Sequence, residues 1–338
     1  MATVSRIILR QSILIATAAL ILAGGLTAVE PGKPSKSSIW VLAARAIGAR
    51  DPDPAVRNPD WLAERFLGPE ERALLAGNPV VVNLDKDYRE AMKDPETRAR
   101  VLMVNLRTHF IDRHMLDAVK AGASQVVILG AGFESRAYRF RRELRGAKVF
   151  EVDFGPTQEY KKRRVADVLG PPPPNLVFVP VDFNREQASA ALRKAGYRVD
   201  RKTFFIWEGV SMYLTEQAVR DFLRDISSHS NSASEIVFDH FNPFFDPPAN
   251  EANARLVAML KEWGEPWLFA IPDGQERQFL AGVGLTLTER FSLLVTSEDA
   301  RKFITRQDGS TVGDVQPPAS GAPQRTVHWM VVARIGTP

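Results

Sequence analysis

Three acidic residues close three successive apolar runs of this chain: Asp153 after KVFEV, Asp182 after LVFVPV and Glu208 after TFFIW. Carboxylates at consecutive strand ends accept hydrogen bonds from hydroxyls and amines and attract a positive centre. They suit a pyrophosphate badly, because like charges repel. Each acid alone has a plainer reading as a helix N-cap or a solvated loop residue. The joint pattern is harder to explain that way. Upstream, QVVILGAGFESRAYR (Gln125 to Arg139) reads as a buried strand, a glycine turn and a helix start. Gly130 and Gly132 let a ligand approach the backbone, and the following helix offers free N–H groups and a positive dipole end. The third glycine of a dinucleotide fingerprint is Ser135 here. The turn alone leaves a nucleotide-type pocket and a plain tight turn both open. Asp153 follows Gly132 by about 20 residues, near the spacing of a ribose-binding carboxylate.

The elements that must hold these residues alternate. Val126 to Leu129 is apolar on both faces, as in a covered parallel strand. Helical stretches at Gln158–Leu169, Glu186–Ala195 and Thr215–Ser227 separate strands at Lys148–Val152, Leu176–Val181, Thr203–Trp207 and Glu235–Asp239. Thr215 reads as an N-cap. Such alternation argues an α/β doubly wound parallel sheet. Before it, residues 35–121 read as helical, with Pro95 at a helix start and Val101, Leu102, Leu106, Phe110, Met115 and Leu116 as a buried stripe. After the fifth strand, residues 241–275 form an aromatic-rich insertion (Phe244, Phe245, Trp263, Trp267, Phe269) with a helix near 252–263. Pocket wall and helix-to-sheet packing both account for it. Leu285–Leu294 and Val327–Ala333 read as the last strands, separated by a polar surface loop at Gln307–Gln324.

With 338 residues, 45% of them hydrophobic, a sizeable core is available. A net charge of +4 with no arginine-rich, aromatic-interleaved strip gives no argument for nucleic acid. The absence of cysteine excludes disulfides, thiolate nucleophiles and cysteine metal sites, and no metal centre is expected. Ser12 to Val29 is an uncharged, mostly apolar run just long enough to span a bilayer. A cleaved secretory signal, an uncleaved single-pass anchor and a buried core helix are its three readings. Lys33, Lys36, Arg45 and Arg50 outweigh Arg6 and Arg10, which places the C-terminal side in the cytoplasm. The expected division is residues 1–34 as hydrophobic segment and linker and 35–338 as one domain, its core at 122–338.

QVVILGAGFESRAYR, VFEVDFGPTQEYKKRR, VPVDF and IWEGVSMYL occur in the order seen in the leucine carboxyl methyltransferase family. SKSSIWVLAARAIGARDPDPAVRNPDWLAERFL and VNLRTHFIDRHML resemble the helical N-terminal part of that family. The resemblance covers about Ser35 to Ile335 and leaves the N-terminal apolar run outside. It implies a class I methyltransferase fold, Rossmann-like with an antiparallel last strand and a lid after strand five, and S-adenosyl-L-methionine as cofactor. By the same resemblance, Arg107 pairs with the methionine carboxylate of the cofactor and Gly130 and Gly132 lie beside it. Asp153 binds the ribose, Asp182 and Phe183 meet the adenine, and Glu208 stands near the methionine end. Lys36 matches, loosely, a basic residue that reaches the cofactor. Glu134 stands where many bacterial members have Asp.

Methyl transfer from a sulfonium needs the acceptor held close and aligned. A carboxylate acceptor is already ionised and needs no base, whereas a hydroxyl usually does. His240, after the fifth strand, is the histidine best placed to face an acceptor, and a satisfied strand-end histidine is its plainer reading. Tyr213 either orients the acceptor or packs. Lys161 to Arg164 reads as a solvated helix face, or as a contact with anionic lipid in a membrane-bound chain. The expected activity is O-methylation of a small molecule, with a carboxylate as one candidate acceptor. A tethered cofactor-binding module without transfer and an NAD-dependent oxidoreductase are the alternatives, and oligomeric state is not legible. The cofactor is made in the cytosol, which favours the cytoplasm-facing anchor over export. A reporter fused to the C-terminus is therefore expected to report cytoplasm, with the N-terminus uncleaved, and periplasmic reporter activity would contradict this.

Overall fold

The computed structural model describes residues 34–182, 186–244, 247–248, 251–312 and 326–336. Among them no helix is long and apolar enough to cross a membrane, and the Ser12–Val29 run lies outside them. Seven strands form one sheet: β1 (Gln125–Leu129), β2 (Lys148–Asp153), β3 (Leu176–Pro180), β4 (Thr203–Trp207), β5 (Glu235–Phe241), β6 (Leu285–Ser292) and β7 (His328–Ile335). Their order is β3-β2-β1-β4-β5-β7-β6. Strands β1 to β5 pair in parallel, and β7 runs antiparallel to both β5 and β6. This is the class I methyltransferase fold, as the sequence led us to expect.

The central strands are apolar on both sides because helices cover both faces. Val126 and Ile128 of β1 and Phe204 and Ile206 of β4 share a core with α2 (Pro95–Lys120). Alternating with them, Val127, Leu129, Phe205 and Trp207 face α6 (Glu216–Ser228) through Val219, Leu223 and Ile226. Glu208 follows β4 by one residue and continues on the α2 side. The period of two therefore decides which face a strand-end residue serves.

Helix starts follow the side-chain chemistry anticipated. The Asp94 side chain accepts from the Thr97 N–H, with Pro95 next in line, and Thr215 accepts from Ala218 N–H at the start of α6. In α2 the expected stripe is buried, except that Leu116 is only partly so. Asn105, Arg107, Thr108 and Asp112 are buried along the same helix. Helix α1 (Lys36–Gly48) packs its Ile39, Leu42, Ala43 and Ala46 beside α2. The remaining helices used below are α3 (Arg136–Arg139), α4 (Gly155–Leu169), α5 (Ala188–Lys194), α7 (Glu251–Glu262), α8 (Glu276–Ala281) and α9 (Glu298–Ile304).

Two expectations need correction, and a question left open divides. The helix after the glycine turn is the single turn α3, too short for a useful dipole, and its first N–H groups are not free. The Glu134 carboxylate accepts from the N–H groups of Ser135 at 2.7 Å and Arg136 at 2.6 Å. Lys161 is not on a solvated face. It is buried on α4, with its ammonium 2.5 Å from the carboxylate of Glu151, itself fully buried on β2. The pair exists because a lone glutamate inside an apolar strand must be neutralised or matched. Finally, the aromatic insertion splits between roles. Phe269 packs with Phe279 under the sheet, while Phe241, Phe244 and Trp267 cluster over Met212. Phe245 lies outside the described residues.

Candidate active site

Glu208 is the point at which four segments meet. Its Oε1 lies 2.5 Å from Arg45 Nη2 of α1 and 2.9 Å from Arg107 Nε of α2. Its Oε2 accepts from Arg136 Nη1 of α3 at 2.9 Å. Each arginine is shared onward. Arg136 reaches Asp112 at 2.6 Å and Glu134 at 2.5 Å. Arg45 reaches Asp60 at 3.4 Å, and Asp60 accepts from the Ser135 hydroxyl at 2.7 Å. Arg139 ties Asp112 at 2.8 Å to the same hydroxyl at 2.9 Å. Arg107 donates from Nη1 to Asp239 of β5 at 3.1 Å, and Asp239 also receives the Gly209 N–H at 2.7 Å. His328 of β7 completes the line, with Nε2 2.9 Å from Asp239.

Each charged side chain of the network is at most 8% exposed, Arg45 and Glu208 being the highest. The ionic partners include five carboxylates (Asp60, Asp112, Glu134, Glu208, Asp239) against four guanidiniums (Arg45, Arg107, Arg136, Arg139). Burial alone would push Glu208 up, but Arg45, Arg107 and Arg136 outweigh it and hold the carboxyl well below its ordinary range. Asp112, Glu134 and Asp239 are likewise held down by their arginines against burial. Burial, joined by Arg107 and Arg100, lowers the His328 imidazole against the pull of Asp239.

Next to this network lies the glycine turn. Asp153 accepts from the Gly132 N–H at 2.5 Å and from its neighbour Phe154 at 2.7 Å. One lone pair on each oxygen is thereby used and one is left. Burial raises the Asp153 carboxyl and the two N–H bonds offset only part of that. Gly130 and Gly132 both have positive φ, 67° and 44°. A Cβ at Gly130 would strike Val210 at 2.5 Å, whereas one at Gly132 would meet nothing within 4 Å. Gly130 is required by packing, and Gly132 faces open space. The Val181 N–H bonds to the Asp153 carbonyl at 2.9 Å, which sets Asp182 beside Asp153. Phe183 lies outside the described residues.

The structure thus brings together Arg107, Gly130, Gly132, Asp153, Asp182 and Glu208. Lys36 begins α1, where its backbone N–H and that of Ser37 bond to Glu265 at 2.7 and 3.1 Å. Tyr213 joins that corner. Its phenol is pushed up by burial and feels Ser37, Glu265, Trp267 and Arg107. His240 goes elsewhere. It alternates with Asp239 along β5, so it points to the opposite face, buried with Nε2 3.6 Å from Glu276 of α8. Burial takes its pKa down to about 4. Nor is Glu208 an open carboxylate in a ring of acids, because three guanidiniums occupy it. Sequence reading missed Arg45, Asp60, Arg136, Asp239 and His328. Asp239 alone left a signal, being a fourth acid near a strand end.

The depressed carboxyls fix the sign of the acid response. The unfolded chain takes up protons first, near the ordinary pKa of about 4. Stability is therefore full above that value and is lost as pH falls through the folded values. Glu208→Gln leaves three arginines short of a counter-charge, so a loss of about 3–5 kcal/mol at pH 7 is expected, with a shallower fall in acid. Urea midpoints from pH 7 to pH 3 check both, and a midpoint unchanged at pH 7 would contradict this account.

Comparison with known proteins agrees with this geometry. The family model described as leucine carboxyl methyltransferase matches residues 38–227, from α1 to the end of α6. A Bacillus subtilis protein named "Putative S-adenosyl-L-methionine-dependent methyltransferase YktD" is 28% identical over 276 residues, 78% of this chain and 90% of its own. A like-named protein of Mycobacterium ulcerans is 32% identical over 224 residues, 65% of this chain and 71% of its own. Among solved structures, a methyltransferase so described from Thermobifida fusca superposes with a TM-score of 0.52 at 15% identity, covering 90% of this chain and 96% of that one. A DUF574 family protein from Streptomyces avermitilis gives 0.51 at 16%, covering 72% and 88%. These two likenesses speak for the fold alone. The chain belongs to the leucine carboxyl methyltransferase family and is an S-adenosyl-L-methionine-dependent methyltransferase.

Proposed function

We propose that the chain methylates an oxygen of a small molecule, and that this oxygen belongs to a carboxylate. The observation that carries the reading is the state of the ionisable groups near Arg107. Tyr213 is held protonated by burial, and His240 lies across the sheet. His328 is weakened as a base by burial, with Arg107 and Arg100 acting in the same direction. A general base works best with a pKa near the working pH. An acceptor that arrives ionised requires none, and a carboxylate does so at neutral pH.

The residues fit the cofactor on their own terms. Gly132 faces open space, Asp153 keeps two acceptor positions, and Arg107 Nη2 makes no hydrogen bond among the described residues. In this reading Arg107 takes the methionine carboxylate and Asp153 the ribose hydroxyls. Asp182 and Phe183 take the adenine, and Lys36 stands at the rim. Bound S-adenosyl-L-methionine supplies a methyl group on a sulfonium, open to in-line displacement. Glu208 acts through Arg107, fixing the plane of its guanidinium. The buried excess of carboxylate favours a cationic sulfur nearby.

One observation favours a second reading. His328 and Asp239 form a hydrogen-bonded pair at 2.9 Å, stacked on Phe241 with ring centroids 3.9 Å apart. Such a pair can deprotonate a hydroxyl, which would yield an ether. Transfer of labelled methyl into a metabolite extract, followed by mild base, separates the two. The carboxylate reading expects the label to be lost as the ester hydrolyses; retained label would overturn it. Asp153→Asn puts an amide N–H₂ among backbone donors. It is expected to weaken S-adenosyl-L-methionine about tenfold or more in calorimetry with the fold intact. Unchanged affinity would remove Asp153 from the site.

A further inference from the structure

Arg100 stands on α2 two turns before Arg107 and on the same side, since seven residues bring a helix back to within about 20°. Its guanidinium carbon lies 3.3 Å from the centre of the Trp40 ring. Among the described residues it makes no hydrogen bond and no ion pair. It keeps intermediate exposure, yet it is enclosed deeply enough that burial, and then Arg107, push its pKa down to about 9. A guanidinium does not give up its proton in a protein, so this direction means a charge without a counter-ion. Glu96, near the start of the helix, attracts it without pairing. The cation–π contact with Trp40 recovers only part of the cost of burying the charge. An unmatched charge withdrawn from water costs several kcal/mol. Packing alone therefore does not explain the residue.

Its surroundings tell what would match it. The charge of Arg100 is felt at His328 and responds to Tyr213, so it lies within electrostatic range of both, as Arg107 does. Trp40 meets Trp263 edge-on at 5.7 Å, and Leu256 and Met259 of α7 pack into the same cluster. Phe241 stacks on Trp267 at 4.0 Å across the corner. The surroundings of the Arg100 guanidinium are thus aromatic and aliphatic, with no carboxylate paired to it among the described residues.

The geometry points to Arg100 as the residue that selects the methyl acceptor, a small acid whose carboxylate it grips and whose apolar body lies along Trp40 and the α7 side chains. This deepens the carboxylate reading above and rests on it. A lone pair of the acid's oxygen forms the new C–O bond as the C–S bond of the sulfonium breaks. The electron pair stays on sulfur, and no proton is released. A carboxylate and a sulfonium become a neutral ester and a neutral thioether. The charge that Arg100 grips vanishes in the step, so acid is held and ester is let go.

The test uses the full chain, labelled S-adenosyl-L-methionine and a metabolite extract, half of which has its carboxylates capped as N-methylamides with carbodiimide and methylamine. Arg100→Met and Arg100→Lys are assayed beside the native protein, with cofactor affinity from calorimetry as the check on folding. The expected result is labelling of the untreated extract and at least a tenfold loss from the capped one. Arg100→Met raises the KM for the extract at least tenfold, with cofactor affinity within twofold and kcat little changed, and Arg100→Lys restores part. Labelling of the capped extract, or an unchanged KM in Arg100→Met, overturns the assignment and leaves the methyltransferase reading standing. Loss of cofactor binding in both variants also overturns it, since Arg100 would then serve the fold or the cofactor. No labelling from either half by the native protein sinks the carboxylate reading and this one together.

Discussion

Burying Glu208 among three guanidiniums is the constraint from which the site follows. A carboxylate removed from water is costly unless its charge and both oxygens are matched. Here the match comes from α1, α2 and α3 at once, through Arg45, Arg107 and Arg136. None of these segments can shift without exposing a bare charge to a low-dielectric interior. The helical N-terminal part is thereby fastened to the carboxyl end of β4, where an open α/β sheet binds its ligands. Arg107 is held in addition by Asp239 on β5, so two neighbouring strands define the plane of its guanidinium. A planar fork aimed by two carboxylates is prepared for a third one.

Most of the fold was legible in the sequence because it rests on short-range signals. All-apolar runs marked covered strands, and Pro95 and Thr215 marked helix starts. The placing of half the candidate site was legible for the same reason. Gly132 and Asp153 sit at the ends of adjacent strands, and strand ends can be located by period alone. The network was not legible, because its bonds join residues far apart, Arg45 to Glu208 across 163 positions. Their types were visible, but an arginine on an apolar helix face gives no sign of its partner. His240 failed by one residue of register. Asp239 and His240 are neighbours, and the pleat sends them to opposite faces. Glu151 did leave a signal. A lone acid within KVFEV demanded a cation, and the lysine run on the following helix was the nearest supply.

Electrostatics also accounts for the altered glycine turn. A dinucleotide turn presents free N–H groups to a pyrophosphate. Here Glu134 occupies those groups, and Ser135 gives its hydroxyl to Asp60 in place of the third glycine. The turn has exchanged an anion site for one anchored in a network where carboxylates outnumber guanidiniums. A ligand with a cationic sulfur meets no repulsion there, and two phosphates would.

Helix α2 carries two arginines of unlike kind. Arg107 and Arg100 lie two turns apart, about 10 Å along the axis. One is gripped by Glu208 and Asp239, the other by no carboxylate among the described residues. The same residue type on one helix face thus has two energetic states. Arg107 is compensated and rigid, fit to orient a ligand that must always sit in one place. Arg100 has no carboxylate partner among the described residues, and an anion would satisfy its field. An anionic acceptor would be drawn past Trp40 toward the paired end of the helix, and its neutral ester would lose that attraction. On the proposal made for Arg100, leaving one arginine unmatched would give the exchange of acid for ester its direction.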